Sequence, residues 1–186
     1  MSNIYKIKEK LLNTKKAVFS TKQISNLIGR SVVITSVYVS RLVNNGLAKR
    51  KHGKIIFSSD EYVIGTQFIE PSYISLSSAL FFHQIINQVP INTSCVTTIN
   101  TRYYEDMQLR YHQITPKLFF GFKKYNLDGS YAYIANPEKA ILDGIYYGIY
   151  NKSTLQDYKS LINFKLLKKY SKLYPKRVKS VVEDVK

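Results

Sequence analysis

The sequence predicts an α+β protein. Apolar residues recur at helical spacing through roughly the first 45 positions, extended runs punctuated by turn residues fill residues 94–135, and helical spacing returns from Pro137 onward. At 186 residues and 45% hydrophobic, the chain is long enough to bury a core as one domain or two small ones. Three regions are expected: residues 1–60, 61–150 and 151–186.

The first element expected is a helix over residues 3–12, with Ile4, Ile7, Leu11 and Leu12 on one side, Lys6, Lys8, Glu9 and Lys10 around them, and Ser2 as its cap. Ala17-Val18-Phe19 is a short extended run. Ser20 or Thr21 then caps a second helix over residues 22–28, where Ile24, Leu27 and Ile28 form an apolar face that stops at Gly29. Gly29-Arg30-Ser31 opens a third helix that runs to Asn45 and ends at Gly46, with Thr35, Val39, Leu42 and Val43 turned inward. Residues 47–51 and 55–57 read as two strands joined through His52-Gly53-Lys54. Helix, turn, helix and hairpin in this order predict a winged helix-turn-helix over residues 1–60.

Charge is distributed unevenly. The net +16 divides into +10 over residues 1–60, −1 over 61–150 and +7 over 151–186. Two basic ends around a neutral middle point to a polyanionic partner, with double-stranded DNA the first candidate. The residues expected to meet it are Thr21 and Lys22 at the start of the second helix and Arg30 and Ser31 at the start of the third. Ser36, Val37, Ser40 and Arg41 on the outward face of the third helix join them, with Tyr38 at its margin. The hairpin adds Lys49, Arg50, Lys51, His52 and Lys54, whose cations would release counterions from phosphates and make binding steeply salt-dependent. Val37 reads either as a thymine-methyl contact or as helix packing. Lys6, Lys8, Lys10, Lys15 and Lys16 read equally as steering charges or as a solvated face.

In the middle region, Ser75 is expected to cap a buried helix reaching about Asn87, built on Leu76, Ala79, Leu80, His83 and Ile86. Extended segments at 94–99, 107–115, 118–125 and 131–135, the last beyond the turn Asn126-Leu127-Asp128-Gly129-Ser130, predict a small antiparallel sheet packed with helices. Asn136-Pro137-Glu138 supplies cap, first-position proline and first-turn acid for a core helix over residues 139–150. Past Thr154, Leu155, Tyr158, Leu161, Ile162, Leu166, Leu167, Tyr170, Leu173, Tyr174, Val178, Val181 and Val182 recur at helical spacing, with a break at Pro175. They predict a basic tail of two or three amphipathic helices.

Catalytic and metal chemistry find little support. His52, His83 and His112 are far apart, no HExxH or paired-cysteine spacing exists, and Cys95, the single cysteine, has no neighbouring acid–base partner in sequence. Asp143 reads as a structural carboxylate that Lys139, four residues earlier, can pair, and His83 as a satisfied core histidine. No catalytic residue, cofactor or metal ligand is expected, and the chain does not read as an enzyme. The apolar run around Leu80 to Ile86 is broken by His83 and Gln84 well short of a membrane span, and MSNIYKIKEK has no secretory apolar region. A cytoplasmic, nucleoid-associated protein is expected, with no membrane partner.

Two levels of family resemblance add to these readings. Val39-Ser40-Arg41-Leu42-Val43-Asn44-Asn45-Gly46-Leu47 resembles the end of the recognition helix in many winged-helix regulators. The segments PSYISLSSALFFH (71–83) and YIANPEKAILDGIYY (133–147) closely resemble hallmark segments of the AbiEi family, antitoxins of abortive-infection, type IV toxin–antitoxin systems. Between them, Tyr111-His112-Gln113-Ile114 and Phe119-Phe120-Gly121 fall where that family has comparable strands, so the resemblance covers about residues 15–150. It implies a winged helix that represses its own operon at promoter inverted repeats. It also implies a C-terminal region that counteracts a toxin of nucleotidyltransferase fold, a genetic rather than a tight physical partner. The alternative is a stand-alone winged-helix regulator without antitoxin activity.

Overall fold

The computed structural model describes residues 4–185; the expected Ser2 cap lies outside the described residues. The chain is mixed α+β, with a small antiparallel sheet and a larger mixed sheet, and it divides into two compact units. One comprises Met1–Glu70 with Tyr125–Ala132, the other Pro71–Lys124 with Tyr133–Lys186.

In the first unit, α1 (Ile4–Leu12) buries Ile7 and Leu11, four residues apart on one face. After β1 (Val18–Ser20), Ser20 caps α2 (Thr21–Ile28) through a reciprocal pair: its Oγ accepts from the Gln23 amide at 3.2 Å, and Gln23 Oε1 accepts from the Ser20 amide at 2.7 Å. Gly29 ends α2 at φ 66°, where a side chain would be strained. Ser31 caps α3 (Val32–Asn44), which turns Thr35, Val39 and Leu42 inward at helical spacing; Val43 is only half-buried. The strands β2 (Lys49–Lys51) and β3 (Lys54–Ile56) join β1 in an antiparallel sheet ordered β1-β3-β2. Ile7, Leu11, Phe19, Ile24, Val39, Leu42, Ala48 and Ile55 form the unit's core, with Phe57 edge-on to Phe19 at 5.9 Å.

A further helix, α4 (Glu61–Phe68), was not anticipated from sequence. Asp60 Oδ1 caps it by accepting from the amides of Tyr62 and Val63, each at 2.9 Å. Its buried Gln67 is fully bonded. Oε1 accepts from the amides of Ala17 (2.7 Å) and Val18 (3.2 Å), while Nε2 donates to Ser130 Oγ (2.9 Å) and the Tyr131 carbonyl (2.8 Å). Ser130 Oγ in turn donates to the Lys15 carbonyl at 2.6 Å.

The second unit opens with β4 (Ser72–Ile74) and α5 (Leu76–Phe82). The strands β5 (Thr93–Thr97), β6 (Arg102–Tyr104), β7 (Leu109–Gln113), β8 (Phe122–Leu127) and β9 (Ser130–Ala135) follow, then α6 (Pro137–Tyr146). The last three helices are α7 (Lys152–Tyr158), α8 (Phe164–Ser171) and α9 (Lys176–Glu183).

The sheet order is β6-β7-β5-β4-β9-β8. The antiparallel sheet expected for this region is corrected to a six-stranded mixed one: β5 pairs parallel with β7, and β4 pairs parallel with β9 at Ile74↔Ile134. The cause is β4, a strand of three wholly buried residues just before the Ser75 cap to which the sequence reading assigned no element, and the β5–β7 crossover through β6 at the sheet edge. The expected helix to Asn87 stops at Phe82, and Gln84 then turns the chain at φ 59°. Asn136 caps α6 by accepting from the Lys139 amide at 3.1 Å, and Glu138, buried in the first turn, accepts from the Asn163 amide at 2.7 Å. The helices α8 and α9 pack with α6, and α7 packs with α9, burying Leu155, Leu167, Tyr174, Val178 and Val182, so the predicted tail is part of this unit's core. Among the described residues, no helix is long and apolar enough to cross a membrane.

Candidate nucleic-acid interface

Every residue expected to meet DNA belongs to the first unit. Thr21 begins α2 half-buried, with Lys22 exposed beside it; Arg30 and Ser31 are exposed between α2 and α3, and the Ser31 hydroxyl accepts from the Ile34 amide at 3.4 Å as a helix cap. Along α3, Val37, Ser40 and Arg41 are exposed and Ser36 is half-buried. Tyr38 behaves differently, packing partly buried against the core.

The hairpin concentrates the charge. Lys49, Arg50 and Lys51 are consecutive and all exposed in β2, and Lys51 lies directly opposite Lys54 in the register. Like charges facing each other across a ladder disfavour folding, so this arrangement costs stability that a bound polyanion would return. The connecting His52 and Gly53 have φ 46° and 75°, the two left-handed positions of a tight two-residue hairpin turn. His52 is exposed and stands edge-on to Phe68, 6.3 Å between ring centres. Among the acids of this unit, Glu70 pairs with Lys16, Asp60 caps α4, and Asp128 accepts from Ser58 Oγ at 2.7 Å.

Sequence reading missed the apolar half of this surface. Val32, Val33 and Ile34 are exposed at 50%, 78% and 46%, alongside Val37 at 50%. A β-branched run reads as core, and only the placement of Thr35, Val39 and Leu42 on the inner side shows that these valines point away from it.

The second unit holds a different polar cluster. Lys139 Nζ lies 2.5 Å from Asp143 Oδ1, and both side chains are fully buried. Asp143 Oδ1 also accepts from the Tyr174 hydroxyl at 2.8 Å, and Oδ2 accepts from Tyr73 (2.9 Å) and Ser75 (2.8 Å). Ser75, read from sequence as a helix cap, makes no capping bond because its hydroxyl is committed to Asp143. The Lys139 ammonium also sits 5.0 Å from the Phe120 ring centre. Burial pulls the Lys139 pKa below its usual value against the attraction of Asp143, and burial followed by the nearby carboxylate pushes the Tyr73 and Tyr174 phenols far up. Each donor and acceptor here is matched inside the protein, which is the chemistry of a structural knot. His83, the other residue expected to be a satisfied core group, has Nε2 2.9 Å from the Ala135 carbonyl. Among the described residues, no three His, Cys, Asp or Glu side chains are grouped to hold a metal ion.

Compared with known proteins, the chain matches no family model and no curated protein.

Proposed function

We propose that this chain is a DNA-binding transcriptional regulator whose first unit is a winged helix-turn-helix, with α3 as recognition helix and the β2–β3 hairpin as wing. The carrying observation is the exposed run Lys49-Arg50-Lys51, facing Lys54 across a tight turn that follows a helix whose outward face exposes Val37, Ser40 and Arg41. Phosphates on the hairpin would supply affinity and α3 would supply discrimination. The reading extends, on the resemblance of residues 71–83 and 133–147 to AbiEi antitoxins, to an autorepressor that binds promoter inverted repeats and counteracts a nucleotidyltransferase-type toxin.

The test is a gel shift on the DNA upstream of its own gene across a salt series. Wild type is compared with a variant carrying Lys49→Ala, Arg50→Ala, Lys51→Ala and Lys54→Ala. The variant is expected to bind more weakly, and its log–log salt slope to flatten by about 0.9 for each phosphate that is no longer neutralised. Equal affinity and equal slope would remove the hairpin from the interface. The antitoxin half is tested separately, by co-expression with a neighbouring nucleotidyltransferase gene: unrelieved toxicity removes that half and leaves a stand-alone regulator.

A further inference from the structure

The outward face of α3 has an unusual make-up for a surface expected to read bases. Val33, Ser36, Val37 and Ser40 follow one another at i, i+3, i+4 and i+7, opposite the buried Thr35, Val39 and Leu42, with Val32 exposed at the margin. Although Arg41 follows one turn past Val37, between Val32 and Ser40 this face carries no amide, guanidinium or carboxylate, the groups that make bidentate contacts to guanine, adenine or cytosine. Its hydroxyl hydrogens are turned inward. Ser36 Oγ donates to the Val32 carbonyl at 2.9 Å, and Ser40 Oγ donates to the Ser36 carbonyl at 3.0 Å. Each oxygen keeps only acceptor capacity toward solvent.

Such a face offers apolar branched methyls together with hydroxyl acceptors. In the major groove, the complementary surface is the A·T pair, which presents the thymine C5-methyl and the adenine N6 donor. The same unit places Arg30, Arg41 and the hairpin cations around this helix in sequence, so the occupant that suits both the charge and the apolar face is double-stranded DNA. We propose that Val32, Val33 and Val37 dock on thymine methyl groups in the major groove, with Ser36 and Ser40 accepting from adenine. This would make the chain a reader of A·T pairs. The proposal rests on the DNA-binding reading above and names the sequence class which that reading leaves open.

Uracil keeps every hydrogen-bonding edge of thymine and lacks only the methyl, so it isolates the claim. The probes are duplexes of the chain's own upstream region made with thymidine or with deoxyuridine throughout, titrated with wild type, Val33→Ser and Val37→Ser at several salt concentrations. One buried methyl corresponds to about a four-fold change in affinity. Wild type is therefore expected to lose roughly 15- to 60-fold on the deoxyuridine duplex, two or three methyls' worth, with an unchanged salt slope. Each variant is expected to bind thymidine DNA more weakly and to show a smaller ratio between the two duplexes. Because both valines are exposed, circular dichroism should match wild type. Equal wild-type binding to both duplexes overturns the methyl contact while DNA binding stands; no binding to either overturns both. If the ratio is unity and Val33→Ser converts a dimer to a monomer in light scattering, the valine face is a subunit interface and the proposal is overturned.

Discussion

Lys139 Nζ and Asp143 Oδ1 meet at 2.5 Å, one helical turn apart, with neither side chain reaching solvent. Removing one partner strands the other charge in a low-dielectric site. Asp143→Ala also leaves the hydroxyls of Tyr73, Ser75 and Tyr174 without their acceptor. Lys139→Met and Asp143→Ala are each expected to destabilise the protein by about 3–5 kcal/mol in urea unfolding. The double variant Lys139→Met/Asp143→Ala should cost less than the sum, with a coupling of about 1–3 kcal/mol. Strict additivity would show that the pair contributes as two independent groups.

Gly144 in α6 lies against the ring of Tyr150: a methyl placed on it would come within 2.0 Å of Tyr150 Cδ2. In most helix interiors, Gly→Ala stabilises by about 1 kcal/mol. Here the overlap is with a ring rather than a flexible chain end, and the sign reverses. Gly144→Ala is expected to lower the thermal midpoint, costing about 1–3 kcal/mol, and Tyr150→Leu in that background should recover part of the loss. A rise in midpoint for Gly144→Ala alone would contradict this packing.

Gln67 binds four groups at once, two backbone amides of the β1 entry and two acceptors in the segment around Ser130. Gln67→Leu has nearly the right size but takes the acceptor away from the buried Ala17 and Val18 amides. The expected cost is about 2–4 kcal/mol, since a buried orphan group costs about 1–3. Hydrogen exchange should rise at Ala17 and Val18 more than in α2.

Stability should also respond to pH through His112, whose ring stacks at a tilt on Tyr147, 5.0 Å between centres. Burial first, and Arg110 second, lower its pKa below 6.5, against a smaller opposing effect of Asp143. The neutral ring is therefore favoured in the folded state, and between the folded and unfolded pKa values the unfolded chain binds more protons. Its contribution is present above about pH 6.5 and is lost as pH falls through the folded pKa. Denaturant midpoints from pH 7.5 to 5 should decline less in His112→Gln than in wild type; identical profiles would exclude His112 as a source of the decline.

Local chemistry made much of the fold legible. Ser20, Gly29 and Ser31 bracket α2 and α3, Asn136-Pro137 starts α6, and His52-Gly53 marks the hairpin turn because each position demands a particular cap or dihedral. The helix α4 escaped because five of its eight residues are buried, which erases the polar side that an amphipathic pattern needs. The parallel pairings of β4 with β9 and β5 with β7 escaped because strand partners far apart in sequence leave no local signal. The candidate interface divides similarly. Its cations were legible as charge, whereas Val32, Val33 and Ile34 carry the same signature whether they face a core or a groove.

The first unit takes in Tyr125–Ala132, the end of the β8–β9 hairpin, as well as Met1–Glu70. Gln67 and Lys15 bond to Ser130 within that unit, so a fragment ending at Glu70 would lack partners for its own buried amide. The backbone passes between the units at three places rather than one. A lineage could not acquire or exchange this unit by recombination at a single breakpoint; it must be inherited together with residues 71–124, which lie between its two segments.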